Sequence, residues 1–253
     1  MESLLSNSLD PKHFQIEDVE GDNACFYRAL ANGLAFLSEG TTCDTVLKEK
    51  TFNHSKSLKD FYESDEWGYG GVEQECLARA LQEFAYTWIC DRPTLRAPLS
   101  DFDISIRDLV QMVHEMSHED YVEAYQYFAG DLVLEEEEGG EVSLLENRWG
   151  SYVEQLALSE HFHLPIVVMS AQKYDERRGK LISGTIRNNK AIRGVRYRIY
   201  QSSGLEYMER GALPVFMIWK KGKSGGHYMA TYPKQIKEAV SQLQDLLKPA
   251  HSS

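Results

Sequence analysis

Apolar residues recur at spacings of three and four over six stretches of the chain, and this period predicts helices. The clearest stripe lies at about 73–90 and ends at Asp91-Arg92-Pro93, which is a helix-stopping sequence. Two of the stretches open with a serine followed three residues later by an acid, which is typical of a helix N-terminus. The predicted helices run from Phe26 to Leu37 and over 73–90, 105–117, 119–129, 151–163 and 234–247.

After residue 163 the period changes to two or to short continuous apolar runs, which indicates strands. The predicted strands are Pro165–Ser170, Val195–Gln201, Pro214–Lys220 and His227–Tyr232. The last two flank KGKSGG, a glycine-containing loop suited to a hairpin. Helices first and a sheet later predict a single α/β domain, with polar excursions at 40–71 and 130–147.

Charge and hydropathy exclude several classes of protein. The 253 residues include 39 acidic and 27 basic ones, and the formal charge of −12 argues against nonspecific nucleic-acid binding. No apolar run approaches the roughly 20 residues that span a bilayer. The first residues, MESLLSNSLDPKHF, lack the basic start and apolar core of a secretory signal. We therefore expect an intracellular protein with neither nucleic acid nor a membrane as partner.

The four cysteines are widely spaced and form no C-x-x-C pair, so neither a disulfide framework nor a zinc site is predicted. We interpret Cys43, Cys76 and Cys90 as small buried hydrophobic residues. Cys25 is different because it lies at the edge of an apolar stripe, behind Gly21-Asp22-Asn23. If Asp22 or Asn23 caps the helix that follows, Cys25 falls in its first turn.

That position suits a nucleophile. Only the thiolate form of cysteine attacks, and the free N–H groups and dipole of a helix N-terminus lower a thiol pKa. The same N–H groups can hold the oxyanion of an attacked carbonyl. A base is also needed, and His227 is the candidate among eight histidines because it follows Gly225-Gly226 and begins a predicted strand.

Three motifs together carry a resemblance to a known family. Glu20–Leu30 contains GDNACFYRAL, Arg148-Trp149-Gly150 precedes a predicted helix, and GGHYMATY ends the predicted hairpin. They resemble, in the same order, the cysteine, Trp-Gly and histidine motifs of the ovarian-tumour (OTU) domain deubiquitinases. The resemblance spans residues 16–232, with 1–15 as a lead-in and 233–253 as a C-terminal amphipathic helix and tail.

The resemblance implies a papain-like α/β (α+β) fold, in which an antiparallel sheet is flanked by helices. It implies that Cys25 is the nucleophile, that His227 is the general base, and that the main-chain N–H groups of Asp22 and Cys25 form the oxyanion hole. The implied reaction is hydrolysis of the isopeptide bond between ubiquitin, or a ubiquitin-like modifier, and lysine. No metal or other cofactor is implied, and we expect a monomer in the cytoplasm, or in a host cytosol if a virus or bacterium encodes it.

Two departures from the family pattern leave alternatives open. Asn23-Ala24 replace the usual Gly-Asn, and Met229 stands where many members carry the acid or amide that orients the histidine. We favour Asp22 as the third member of the triad, with Thr231 or an acid of 18–20 as alternatives. The competing functions are a ubiquitin-binding module without hydrolysis and a different acyl-transfer enzyme on the same scaffold.

Overall fold

The computed structural model describes residues 8–21, 24–40, 72–99, 102–129, 150–178, 180–221 and 226–247. The α-helices within these residues match the predicted apolar stripes to within a few positions. They are α1 (Cys25–Gly40), α2 (Val72–Cys90), α3 (Ile106–His114), α4 (His118–Ala129), α5 (Tyr152–Phe162) and α6 (Ile236–Leu247). None of these helices is both long and apolar enough to cross a membrane.

The strands within the described residues fall into one large sheet and two small ribbons. They are β1 (Phe14–Glu17), β2 (Arg96–Leu99), β3 (Phe102–Ser105), β4 (Ile166–Asp175), β5 (Lys180–Ser183), β6 (Ile186–Arg187), β7 (Lys190–Ala191), β8 (Val195–Ser203), β9 (Val215–Lys221) and β10 (Gly226–Pro233). The large sheet has the order β1-β10-β9-β4-β5, with β8 also paired to β4. β2 pairs with β3, and β6 pairs with β7.

The predicted mixture of helices and a helix-flanked sheet is confirmed, but the prediction of an antiparallel sheet is wrong at one pairing. β4 and β9 run parallel, with Ile166 opposite Val215. The cause is the connection between them, because the chain first returns antiparallel to β4 as β8. It then crosses to the other edge of β4 through a 3₁₀ turn at Leu205–Arg210. The other pairs in the sheet are antiparallel.

Several predicted elements are confirmed and some short ones were missed. The predicted hairpin is β9 followed by β10, with Tyr228 opposite Trp219. β1 was missed, and Leu9, in the predicted lead-in, exchanges backbone hydrogen bonds with Tyr197 of β8. The strands β5 to β7, between two predicted strands, were also missed. The excursions at 40–71 and 130–147 lie outside the described residues except for Gly40.

Each face of the sheet has its own core. Alternate strand residues such as Val168, Met217 and Ala230 join one core that includes α1, α2 and α5. The residues between them, such as Val167, Phe216 and Met229, join a second core with the N-terminal segment and α6. Burial on both faces explains why the first four residues of β4 and of β9 are all apolar, since neither face of this part of the sheet meets water.

Gly150, the last residue of the Trp-Gly motif, packs directly against Phe26, so the start of α5 lies in close contact with the start of α1. A Cβ atom on Gly150 would lie 2.0 Å from Cδ1 of Phe26 and 2.6 Å from its Cβ. Phe26 is fully buried in the first turn of α1, next to Cys25. Only glycine therefore allows these two segments to approach so closely.

The predicted capping box of α5 is confirmed, and it forms part of a buried polar network. The Ser151 hydroxyl accepts a hydrogen bond from the Val153 N–H, while Glu154 accepts one from the Ser151 N–H at 2.8 Å. Glu154 is completely buried, and its carboxylate also accepts the Tyr121 hydroxyl at 2.6 Å and His114 Nε2 at 2.8 Å. A buried carboxylate is stable only when it is paired in this way.

The pKa shifts of the pair follow from this environment. Burial acts to lower the pKa of His114, but the Glu154 carboxylate and its hydrogen bond outweigh burial and leave that pKa above 6.5. Burial acts to raise the pKa of Glu154, but His114, Ser151 and Tyr121 outweigh burial and hold it below 4.5. In the folded protein the two groups therefore share a wide pH range in which both are charged.

We predict that this pair makes the free energy of unfolding pH-dependent. The contribution of Glu154 is present above about pH 4.5 and is lost as the pH falls through the lowered pKa of the carboxyl. The contribution of His114 is complete below about pH 6.5 and is lost as the pH rises through the raised pKa of the imidazole. Urea titrations at a series of pH values should therefore show the highest free energy of unfolding between about pH 4.5 and pH 6.5, where both contributions are present.

Replacement of one partner provides the test. His114→Ala leaves the Glu154 charge buried without its cation, and we expect it to cost about 3–5 kcal/mol and to flatten the dependence above pH 6.5. His13→Ala is the matched control, because His13 pairs with Glu238 near the surface at 3.3 Å. Equal effects of the two variants would contradict the assignment.

Candidate active site

Cys25 is the first residue of α1, as the sequence predicted. The Ala24 carbonyl accepts the first backbone hydrogen bond of the helix, from the Arg28 N–H at 3.0 Å. Cys25 thus lies in the first turn, where backbone N–H groups have no partner within the helix and the helix dipole favours negative charge. Its side chain is only 5% exposed, so this favourable field acts with little screening by water.

β10 brings the histidine motif to the thiol. The backbone N–H of Tyr228 points at Cys25 Sγ, with a nitrogen-to-sulfur distance of 3.5 Å. His227, the preceding residue, is the second residue of the strand. A donor aimed at sulfur stabilises the thiolate more than the thiol. The residue whose N–H contacts the predicted nucleophile is therefore the one that follows the predicted base in β10.

Asp18 is the carboxylate that contacts His227. Its Oδ1 lies 2.7 Å from His227 Nε2. An ionised carboxylate can only accept a hydrogen bond, so Nε2 carries the hydrogen and Nδ1 remains the nitrogen that can take a proton. The carboxylate is half exposed, at 51% of its side-chain area. We therefore expect it to orient the ring rather than to add much stability.

The pairing of β1 with β10 explains this contact. Glu17 lies opposite Ala230, and extending that register by one residue puts Asp18 opposite Met229. Residues two apart on a strand share a face, so Asp18 and His227 become diagonal neighbours. Sequence reasoning kept Asp18 as an alternative but favoured Asp22. The missing signal was β1, a four-residue strand whose buried Phe14 and Ile16 alternate with exposed Gln15.

The loop after β1 is held beside the ring by a salt bridge. Buried Arg28 of α1 reaches Glu20, with Nη2 and Oε2 3.6 Å apart. A Cβ atom on Gly21 would lie 3.8 Å from Cε1 and 3.9 Å from Nδ1 of His227, so the backbone at Gly21 passes close to the imidazole. The arginine of the cysteine motif thus positions the segment that carries Asp18.

The other candidates for the third member are Asp22, Thr231 and Glu20, of which Glu20 pairs with Arg28. Asp22, and Asn23 with it, lie outside the described residues. Met229 is buried in the second core and supports the sheet. Thr231 is buried, and its hydroxyl has no hydrogen-bond partner within the described part of the chain.

Two stacked aromatic side chains, Trp219 and Tyr200, form a wall beside Gly226, the residue before His227. A Cβ atom on Gly226 would lie 2.0 Å from Nε1 of Trp219, so the indole fills the space that a side chain would need. Tyr200 stacks on Trp219 with ring centroids 4.9 Å apart and an interplanar angle of 6°. Tyr200 is 53% exposed. Its ring therefore extends the wall beside His227 into solvent.

Tyr228 contributes a neutral phenol to the wall of the site. Burial raises its pKa well above the ordinary range, and electrostatic interaction with the acidic groups of Cys25, Tyr200 and Glu154 acts in the same direction. Its ring packs edge-on against Phe26, with centroids 5.2 Å apart. A phenol that stays protonated adds no charge that would oppose thiolate formation at Cys25.

Cys90 provides an internal contrast to Cys25. It ends α2 instead of beginning it, and burial, with Asp91 beside it, raises the pKa of its thiol to about 11. Cys43 lies outside the described residues, and only the backbone of Cys76 is described. No group of three or more His, Cys, Asp or Glu side chains in the described ranges is arranged to hold a metal ion. The chemistry that this arrangement can supply is nucleophilic attack by a thiolate.

Comparison with known protein families finds no family that matches the sequence. A search of curated proteins likewise finds no significant relative.

We predict that iodoacetamide alkylates Cys25 before Cys90. At pH 7 a thiol with a pKa of about 11 is almost entirely protonated, whereas Cys25 has the helix N-terminus, the Tyr228 N–H and His227 to favour its thiolate. Peptide mass spectrometry over a time course measures both rates. His227→Ala should slow alkylation of Cys25 and leave that of Cys90 unchanged. Faster modification of Cys90 would contradict the proposed activation.

Proposed function

We propose that the protein is a cysteine-type deubiquitinase with a papain-like fold of the OTU kind. It hydrolyses the isopeptide bond between a lysine and ubiquitin or a ubiquitin-like modifier. The convergence of Cys25, His227 and Asp18 carries the proposal, because a thiol at a helix N-terminus, a base and a ring-orienting carboxylate are the parts that thiol acyl transfer needs. The resemblance of the three sequence motifs to those of OTU enzymes supplies the substrate class.

In the proposed reaction His227 Nδ1 takes the proton of Cys25. The thiolate attacks the carbonyl carbon of the modifier's terminal glycine, and the N–H of Cys25 stabilises the oxyanion together with that of Asp22. The tetrahedral intermediate collapses as the imidazolium gives its proton to the leaving lysine amine. Water, deprotonated by His227, then attacks the thioester and releases the modifier with a free carboxylate.

Asp18 supports both halves of this cycle through the ring. Its hydrogen bond to Nε2 fixes the tautomer and directs Nδ1 to the reaction, and its charge stabilises the imidazolium that forms. This assigns to Asp18 the orienting role that the sequence gave to Asp22. The proposed main-chain role of Asp22 at the oxyanion stays as the resemblance implies it.

We predict that a ubiquitin probe with a C-terminal electrophile labels the protein at Cys25. Cys25→Ala should abolish labelling and hydrolysis of di-ubiquitin while preserving the fold, because loss of one small sulfur leaves little cavity. Cys90→Ala is the matched control and should be labelled like the wild type, since its thiol is not activated.

The outcomes separate the candidate functions. Ubiquitin binding without labelling would favour the non-hydrolysing module over the enzyme. Absence of both binding and labelling, together with Cys25-dependent hydrolysis of a small thioester or amide, would favour another acyl-transfer reaction on this scaffold. Hydrolysis that persists in Cys25→Ala would end the proposal.

A further prediction concerns Asp18. Asp18→Ala should lower kcat on di-ubiquitin by about ten- to a hundredfold with little change in Tm, because the contact is half exposed and acts on the ring. Asp18→Asn should retain more activity, since its amide oxygen can still accept from Nε2.

Glu238→Ala is the control, because it removes a carboxylate from another histidine, His13, which has no role in the proposed reaction. Wild-type turnover in both Asp18 variants would show that Asp18 is not the orienting residue. Loss of Tm in proportion to kcat would assign Asp18 a structural role.

A further inference from the structure

A groove separate from the Cys25 site runs between the N-terminal segment and the β6–β7 ribbon. Its volume is about 640 Å³, and residues of both segments line it. The lining on one side includes Phe14, Gln15 and Ile16 of β1, and on the other the run from Asn188 to Val195. We propose that this groove binds an acidic peptide segment of another protein in extended conformation. The inference is independent of the proposed deubiquitinase activity.

The backbone at one side of the groove is suited to pair with a strand. β1 ends the order of the large sheet, and within the described residues β10 is the strand that pairs with it. Three consecutive residues of β1 line the groove. An edge strand offers unpaired N–H and C=O groups, and an extended peptide can satisfy them by adding one more strand.

The charge around the groove selects an acidic occupant. Its lining contains four basic residues and one acid, Asp10. That acid is already neutralised, because its carboxylate lies 3.2 Å from Lys12 and 3.4 Å from Arg196. Lys190 and Arg193 are exposed, and no carboxylate of the described residues pairs with either of them.

This positive charge is local. The segment 173–198 holds nine lysines and arginines but only two acids, whereas the whole chain has a net charge of −12. A basic band on an acidic protein attracts an acidic partner to one place and repels it elsewhere.

The geometry of the groove favours an extended chain over a compact anion. Apolar side chains that belong to the second core, among them Ile16, Val195 and Tyr197, form its floor. Asn188 and Asn189 both have positive φ, and they form the two-residue turn that projects Lys190 on the opposite wall. A strand alternates its side chains, so acidic residues at every second position reach the bases while apolar ones between them face the floor.

The test uses fluorescence anisotropy with the full-length protein and a labelled peptide of alternating glutamate and valine. We expect binding that weakens with salt and no binding of the matched glutamine–valine or lysine–valine peptide. The same glutamate–valine peptide with N-methyl groups on alternate residues should also fail to bind, because it keeps its charge but loses backbone donors. Binding of both forms alike would overturn strand addition.

Matched charge reversals locate the site. K190E/R193E should weaken binding of the peptide at least tenfold, while R177E/R178E, which changes the same charge in the turn after β4, should stay within twofold of the wild type. Circular dichroism and Tm confirm that both variants fold.

Three results would overturn the proposal. Equal weakening by the two double variants would show diffuse charge attraction. Tighter binding of a single-stranded oligonucleotide or of inorganic pyrophosphate than of the peptide would make the groove a phosphate site instead. Absence of peptide binding at low salt would exclude an acidic strand as its occupant.

Discussion

The antiparallel pairing of β10 with β1 on one side and β9 on the other is the interaction on which the site depends. β10 carries His227, β1 ends one residue before Asp18, and β9 supplies Trp219, which packs against Gly226. The packing of α1 against the same strands adds Cys25. Two distant regions of the chain, one before residue 30 and one after residue 215, thus meet at one end of one strand, and backbone hydrogen bonds set the register of the strands.

The charged carboxylate of the core is fully buried, whereas those of the candidate site are partly exposed to water. Glu154 is fully buried and has partners on α3, α4 and α5, so its network fixes how these helices pack. Asp18 and Glu20 are half exposed, and each pairs with one cationic side chain of the described residues. Buried ionic networks are costly to break, whereas exposed pairs are weak and can rearrange. The buried network therefore serves the packing of the helices, and the carboxylates of the candidate site remain accessible to water.

The elements that sequence reasoning predicted are those whose apolar period is long. α2 spans 19 residues with a clear stripe, and β8 to β10 each have seven or more residues bounded by turn formers. β1 has four residues and β6 two, too few for a period to stand out. The parallel pairing of β4 and β9 follows from which edge of β4 the chain returns to, and no local pattern encodes that choice.

The residues of the candidate site also differ in whether a local sequence pattern predicts them. The cysteine and histidine could be found because each has a local signal, a turn before a helix and a glycine pair before a strand. The contact of Asp18 with His227 joins residues 209 positions apart, and it becomes visible only when the strand register is known. Asp22 is the acid that the cysteine motif favours, and it lies outside the described residues.

The close fit at Gly150 has a consequence for how the protein fluctuates. Phe26 and Gly150 leave no space for one segment to slide past the other, so the first turn of α1 and the entry to α5 cannot open separately. Local opening in proteins occurs in cooperative units, and these two helix starts belong to the same unit. The helix start that carries Cys25 consequently shares the lifetime of the Glu154 network, and amide exchange in both segments should report one common opening.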